Sequence, residues 1–230
     1  MNEARFLLPA SFEKAVTFER DGDWFVKFRA SDCKPDRSRG ADWVAERITK
    51  NAIADMKKQI GSGTPRFPVL NGVHGESFGY GEIVDFDKDA PEDELWAIAK
   101  LKKDYPQARE LWADLKDGKS VTKQASIGGV TRKAYRQFDK EAGGIVKYLD
   151  SVELDEITTT HPGKAANPRS GSWGVFAKTD GLDTPFDWAA TPLLDVEGNE
   201  TTPEGLAKSL GVTVESLSAF EKKDGEVKPV

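Results

Sequence analysis

Apolar and polar residues alternate on both sides of Asp21-Gly22. Val16 and Phe18 precede the pair, and Trp24, Val26 and Phe28 follow it. Period-two alternation interrupted by Asp-Gly predicts a β-hairpin over residues 15–29. Residues 30–40 are polar, contain Pro35 and read as a loop. Over 41–60 the period changes: Val44, Ile48, Ala52, Met56 and Ile60 recur at four-residue steps. This predicts a helix with one apolar stripe, stopped by Gly61. After the break Gly61-Ser62-Gly63-Thr64-Pro65, the residues Phe78, Tyr80, Val84 and Phe86 share one parity and predict a strand. Leu95, Ala97, Ala99 and Leu101 predict another. Pro106 to Lys116 reads as a short helix with Leu111, Trp112 and Leu115 inward, Pro106 near its start and Gly118 past its end. Residues 119–136 and 145–160 read as two long strands joined around Gly143-Gly144.

Beyond Pro168 the periodicity is lost. Gly, Pro, Ser, Asp and Thr dominate to about residue 203, with Trp173, Phe176, Phe186 and Trp188 scattered among them, so parts of this stretch are expected to pack on the core. Pro203 to Phe220 then predicts two short helices around Gly211, and the charged run Glu221 to Val230 is expected to be mobile. No internal repeat is present.

Composition narrows the function classes. The chain has 230 residues, enough for one large domain or one domain with extensions. Its 38% hydrophobic content supports a core, and its 31% charged content points to solvated tails. A net charge of −6 disfavours non-specific nucleic-acid binding, which depends on Lys and Arg neutralising phosphates. Cys33 is the single cysteine, so no internal disulfide forms and a reducing compartment fits. With one cysteine and two histidines, a Cys/His zinc site is not expected, and nothing in the sequence calls for a cofactor. No apolar run approaches the ~18–20 residues of a membrane span, and the start, Met1 to Pro9, lacks a signal-peptide apolar region. Neither nucleic acid nor membrane is therefore expected as a partner.

Four motif-like features fall away on inspection. Asp85, Asp87 and Asp89 resemble the start of a calcium loop, but Ala90 and Trp96 stand where Gly and a bidentate Glu are needed. Gly118-Lys119-Ser120 resembles the end of a phosphate loop whose first glycine would fall at Ala113, inside a helix. Leu206 to Leu217 has the cadence of a helix-turn-helix, without a third helix or a basic face. Asn199-Glu200-Thr201 is a sequon without a secretory route.

Three segments carry chemistry. Val69-Leu70-Asn71-Gly72-Val73-His74 places a histidine just before a strand. Gln124-Ala125-Ser126-Ile127-Gly128-Gly129 places a serine beside glycines. Val152-Glu153-Leu154-Asp155-Glu156-Ile157 carries carboxylates and runs on to His161-Pro162 and Ala165-Ala166-Asn167-Pro168. A serine hydroxyl needs a base to become a nucleophile, and only His74 and His161 are available. Gly128 and Gly129 allow backbone N–H groups to approach a developing oxyanion; they equally suit a β-bulge. If 151–160 is a regular strand, Glu156 lies on the face of Val152 and Leu154, while Glu153 and Asp155 face solvent. A carboxylate on a buried face needs a partner such as an imidazole N–H, so Glu156 is the candidate third member and His161 its rival.

In their order and spacing these segments resemble the phage prohead (capsid-maturation) serine proteases, including the divergent putative phage serine proteases, distant kin of the herpesvirus assemblins. The resemblance runs from about Ala15 to Pro168. His74 followed by Gly81-Glu82-Ile83-Val84 is similar to that family's histidine segment. Ser126-Ile127-Gly128, after Leu111 to Gly118, is similar to its nucleophile segment. Leu154-Asp155-Glu156-Ile157-Thr158 and Ala165-Ala166-Asn167-Pro168 are similar to its third strand and ending. Val73 stands where that family usually has Asn before the histidine, Thr158 where it has Ser, and Gly163-Lys164 is inserted.

The resemblance implies an α+β fold, an assemblin-like β-barrel flanked by helices, with a partly helical C-terminal tail. It implies a prohead-protease-like domain over 1–168, a Gly/Pro/Asp-rich linker over 169–202 and a short helical, mobile tail over 203–230. It further implies a serine endopeptidase with Ser126 as nucleophile, His74 as base and Glu156, or His161 in its place, as third member. The oxyanion donors would lie at Gly128 and Gly129 or in the Gly163-Lys164 turn. Substrates would be phage scaffold protein, major capsid protein segments and the protease itself, cut in the host cytoplasm inside the assembling prohead, with self-association possible. The alternative is a catalytically inactive assembly or scaffolding protein on the same fold.

Overall fold

The computed structural model describes residues 4–33, 46–64, 66–72, 79–117, 124–139, 144–160 and 191–217, with backbone alone for 4–14, 46, 124–126 and 160. Several expectations, among them those for Val44, His74, Phe78, His161, Gly163, Trp173 and 218–230, lie outside the described residues.

The Asp-Gly hairpin is present. β1 (Ala4–Arg20) and β2 (Asp23–Asp32) pair antiparallel up to Arg20 opposite Asp23. Asp21 and Gly22 both have positive φ, 52° and 78°, the two-residue turn whose twist matches that of the flanking strands. The first half of β1 continues past an irregularity between Ser11 and Val16 to pair with β7 (Gln124–Asp139), so Ala4 lies opposite Thr131 and Ser11 opposite Gln124. β6 (Glu94–Leu101) buries Leu95, Ala97, Ala99 and Leu101, the parity expected of it. β5 (Gly81–Phe86) does not follow its expected parity. Ile83 opposite Ala99 is followed by Asp85 opposite Ile98, so Val84 is an extra residue and Ile83, not Val84, is fully buried. α2 (Pro106–Lys116) buries Ala108, Leu111 and Trp112, and Trp112 stacks on Trp24 at 4.8 Å between centroids.

Among the described residues, all strands belong to one ten-stranded mixed sheet, completed by β3 (Glu46–Ile48), β4 (Val69–Asn71), β8 (Gly144–Thr160), β9 (Leu193–Leu194) and β10 (Glu200–Thr201). Followed from neighbour to neighbour, the pairings β1–β2–β6–β5–β4–β8–β7–β1 return to their start. The expected barrel is corrected to this larger sheet for a physical reason. β7 and β8 are 16 and 17 residues long and pair along almost their whole length. Their far ends run beyond the circuit and recruit β9 at Arg136–Gln137 and β3 at Lys147–Leu149.

The helix expected over 41–60 is α1 (Lys50–Ser62); Glu46–Ile48, read into its stripe, is β3. Thr49 accepts a hydrogen bond from Ala52 N–H as N-cap, and Gly63, with φ of 65°, ends the helix two residues after the expected Gly61. β3 and β4 both run parallel to β8, opposite 147–149 and 156–158. Between them the edge of β8 has no strand, and α1 fills the gap. At about 1.5 Å per residue a helix of this length covers ~20 Å, close to the ~23 Å of strand from Leu149 to Glu156. Its side chains stand in for the missing ladder. Thr49 and Asn51 each donate to Asp150 Oδ1 at 3.0 Å, and Ser151 Oγ donates to Asp55 at 2.5 Å. The Gln59 amide donates to Leu154 O at 2.7 Å and accepts from Leu154 N–H at 2.8 Å. Ala52, Ile53, Met56 and Ile60 meanwhile enter the main core with Phe28, Ile83, Leu95, Leu111, Leu149 and Leu154.

Two outcomes follow from this helix-for-strand arrangement. Gln59→Ala leaves a buried peptide donor and acceptor unpaired, each worth about 1–3 kcal/mol, so urea unfolding should show a loss of about 2–6 kcal/mol. Lys58→Ala, on the exposed face, should change it by no more than about 0.5 kcal/mol. Burial alone would raise the Asp150 carboxyl, but the bonds from Lys133, Asn51 and Thr49 outweigh it and hold it below its ordinary 3.8. A depressed carboxylate contributes stability above its unfolded pKa and loses it as pH falls through the folded one. Unfolding midpoints should therefore show Asp150→Asn costlier at pH 7 than at pH 3.

Candidate active site

Three neighbouring strands, β4, β8 and β7, bring the sequence-distant segments together. Asn71 lies opposite Thr158, and Thr158 lies opposite Ser126, so these three positions form one row across the sheet. Val69, Glu156 and Gly128 form a parallel row two positions away, beyond Leu70, Ile157 and Ile127. Adjacent strands are about 4.8 Å apart, which puts the Ser126 backbone about 10 Å from that of Asn71. Of the expected site residues, Glu156, Gly128 and Gly129 are described in full and Ser126 as backbone, while His74 and His161 lie outside the described residues.

Glu156 is 7% exposed. Its Oε2 accepts a hydrogen bond from Asn71 Nδ2 at 2.9 Å, and Asn71 Oδ1 accepts one from Thr158 Oγ1 at 2.6 Å. The threonine proton thus fixes which end of the Asn71 amide faces the carboxylate. Asn71 and Thr158 are themselves fully buried, at 0% and 1% exposure. Thr159 Oγ1 donates to Asn71 O at 3.2 Å and shares a 2.5 Å hydrogen bond with Tyr80. Burial pushes the Tyr80 phenol well up, with Glu110 adding to the rise and the Thr159 bond opposing it, so Tyr80 is a neutral support. Gly79 must lack a side chain because a Cβ there would collide with the Leu70 carbonyl oxygen where β5 approaches β4.

Strand parity does not hold through this region. Gly128 lies opposite Glu156 but Gly129 lies opposite Leu154, so Asp155 is an extra residue on β8. Consecutive residues of β7 face opposite sides of the sheet, so Glu156 does not share the face of Leu154 as a regular strand requires. The bulge also returns Ile157 to the main core alongside Leu154. Asp155, expected in solvent, is 8% exposed and pairs with Arg66 at 3.0 Å. The same bulge explains Gly129: a Cβ there would strike the Glu153 carbonyl oxygen. Sequence reasoning missed Asn71, whose signal was an amide at the end of an apolar Val-Leu run.

Other chemistry is limited. Burial, then the charges of Asp93 and Asp32, push the Cys33 thiol up to about 11, which leaves almost no thiolate near neutral pH. Among the described residues no group of three or more His, Cys, Asp or Glu is placed to hold a metal ion, and no helix is long and apolar enough to cross a membrane.

The Asn71–Glu156 contact has a pH signature. Asn71→Asp sets a second carboxylate against Glu156, so the folded pair retains a proton that the unfolded chain releases. Stability then falls as pH rises, and the deficit against wild type should be larger at pH 7 than at pH 4. Asn71→Ala should cost about 2–4 kcal/mol with a weaker trend, because it removes a donor without adding a charge, both measured by urea unfolding.

No protein-family model matches the chain, and no curated protein matches it. Among solved structures, the capsid assembly protease of bacteriophage T4 is similar to it with a TM-score of 0.46 and 10% sequence identity, over 70% of this chain and 99% of that one.

Proposed function

We propose that this chain is a serine endopeptidase of phage capsid maturation. The observation that carries the reading is the buried, oriented Glu156 two residue rows from Ser126. A carboxylate removed from water and held by an amide is suited to receive one further N–H donor. His74 is three positions along the chain from Asn71, a reach of at most about 11 Å. His161 is as far along the chain from Thr158 and remains the rival third member. The motif order that resembles the prohead serine proteases supports the same assignment.

In this mechanism the Ser126 hydroxyl attacks the scissile carbonyl while His74 takes its proton. Glu156 holds the His74 ring and stabilises the imidazolium. The proton passes to the leaving amine, and water, activated by the same histidine, hydrolyses the acyl-enzyme. Both edges of β7 are paired at Gly128 and Gly129, which favours the inserted Gly163-Lys164 as source of the oxyanion donors. Scaffold protein, major capsid protein segments and the chain itself are the substrates, cut inside the prohead in the host cytoplasm.

Co-expression with capsid and scaffold proteins, read by gel and mass spectrometry, tests the assignment. Wild type should cut, and Ser126→Ala or His74→Ala should lower the rate by about 10⁴-fold or more. Glu156→Gln should lower it by about 10²–10⁴-fold, while His161→Ala keeps most of it. A wild type that cuts nothing supports the inactive assembly protein instead. Loss with His161→Ala and not with Glu156→Gln makes His161 the third member.

A further inference from the structure

The C-terminal part of the described chain sits on the far end of the β7–β8 ribbon, away from the row of Ser126, Thr158 and Asn71. Leu193–Leu194 add to β7 as a parallel strand opposite Arg136–Gln137. Arg136 N–H donates to Pro192 O at 2.8 Å, its guanidinium to Thr191 O at 3.3 Å, and the Gln137 amide to Asp195 O at 2.8 Å. These bonds read backbone carbonyls in the manner of strand addition, in which main-chain pairing supplies affinity. Beneath them a second apolar cluster joins Ile145 of the ribbon to Leu193, Leu206, Ala207 and Leu217, and it shares no buried residue with the main core.

Other bonds of the segment are internal to it. The Asp195 carboxylate accepts from the N–H groups of Glu197 and Asn199, which shapes the β9–β10 turn. Thr202 caps α3 (Pro203–Leu210) by accepting from Gly205 N–H, and Gly211, with φ of 68°, ends it. Residues 191–217 thus form a small unit with its own turn and caps, well below the ~40 residues at which a chain can usually bury enough surface alone. Its order depends on the ribbon.

We propose that the ribbon face of Arg136, Gln137, Phe138 and Ile145 is a docking surface for residues 191–217. It retains this segment without the covalent connection through 161–190. A cut in that connection leaves every contact named above intact. The inference goes beyond the proposed activity and is independent of it. Under that activity, self-cleavage within 161–190 would nick the chain without shedding its C-terminal part.

The test uses the full chain with Ser126→Ala and a recognition sequence for an added site-specific protease placed within 170–185. After complete cutting under native conditions, both fragments should elute together in size-exclusion chromatography at about 10 µM. Separate elution overturns the proposal. Leu206→Asp should release the small fragment after cutting; retention by that variant shows that the contact is elsewhere and also overturns it. Arg136→Ala with Gln137→Ala leaves the segment itself unaltered. Exchange of the nicked fragment into labelled, nicked protein should be at least about tenfold faster in this variant, and an unchanged rate counts against the assignment.

Discussion

The buried amide of Gln59 holds both backbone polar groups of Leu154, and much of the molecule's arrangement depends on that pair of bonds. Without it the outer edge of β8 would be a run of peptide groups facing an apolar helix, a cost that no side-chain packing offsets. With it, α1 acts as a spacer of fixed length between two short strands parallel to β8. The length of the spacer sets the register of β4, and the register sets Asn71 beside Glu156. A three-residue strand with little pairing of its own is placed by a helix that touches neither end of the site.

The polar groups of this region lie in an order that hydrophobic packing alone would not produce. Thr158, Asn71 and Glu156 are buried where three strands meet, and each is bonded to the next. Burying such a chain of groups is costly unless every donor finds its acceptor, and a fully bonded chain in turn fixes side-chain orientation. The Asp155 bulge makes this possible. It turns the carboxylate of Glu156 away from the face of Leu154 while keeping Ile157 in the core.

Much of the fold was legible in the chain because local signals and tertiary packing agreed. The Asp21-Gly22 turn, the alternation of Leu95 to Leu101 and the Pro106 helix start needed no long-range information. The failures share one physical cause. Bulges at Val84 and Asp155 insert a residue that only the partner strand demands, so a strict period of two misassigned Val84, Asp155 and the face of Glu156. Ile48 matched the four-residue stripe of α1 but is claimed by β8 as a strand residue. At the site, the serine and acid segments were visible as motifs. Asn71 was not, because an amide earns its position from what lies across the sheet rather than from its neighbours in sequence.

The pairing of the first half of β1 with β7 has a consequence for timing. Residues of β1 wait for partners more than about a hundred positions later, and β4 waits about 90 positions for β8. Contacts of such large sequence separation form late, because the loop must close before any bond rewards it. On a ribosome adding about 5–20 residues per second, the row of Ser126, Thr158 and Asn71 has no existence until the end of β8 has emerged. A nascent chain therefore carries no assembled row, and the order of synthesis itself withholds the proposed site until the sheet is whole.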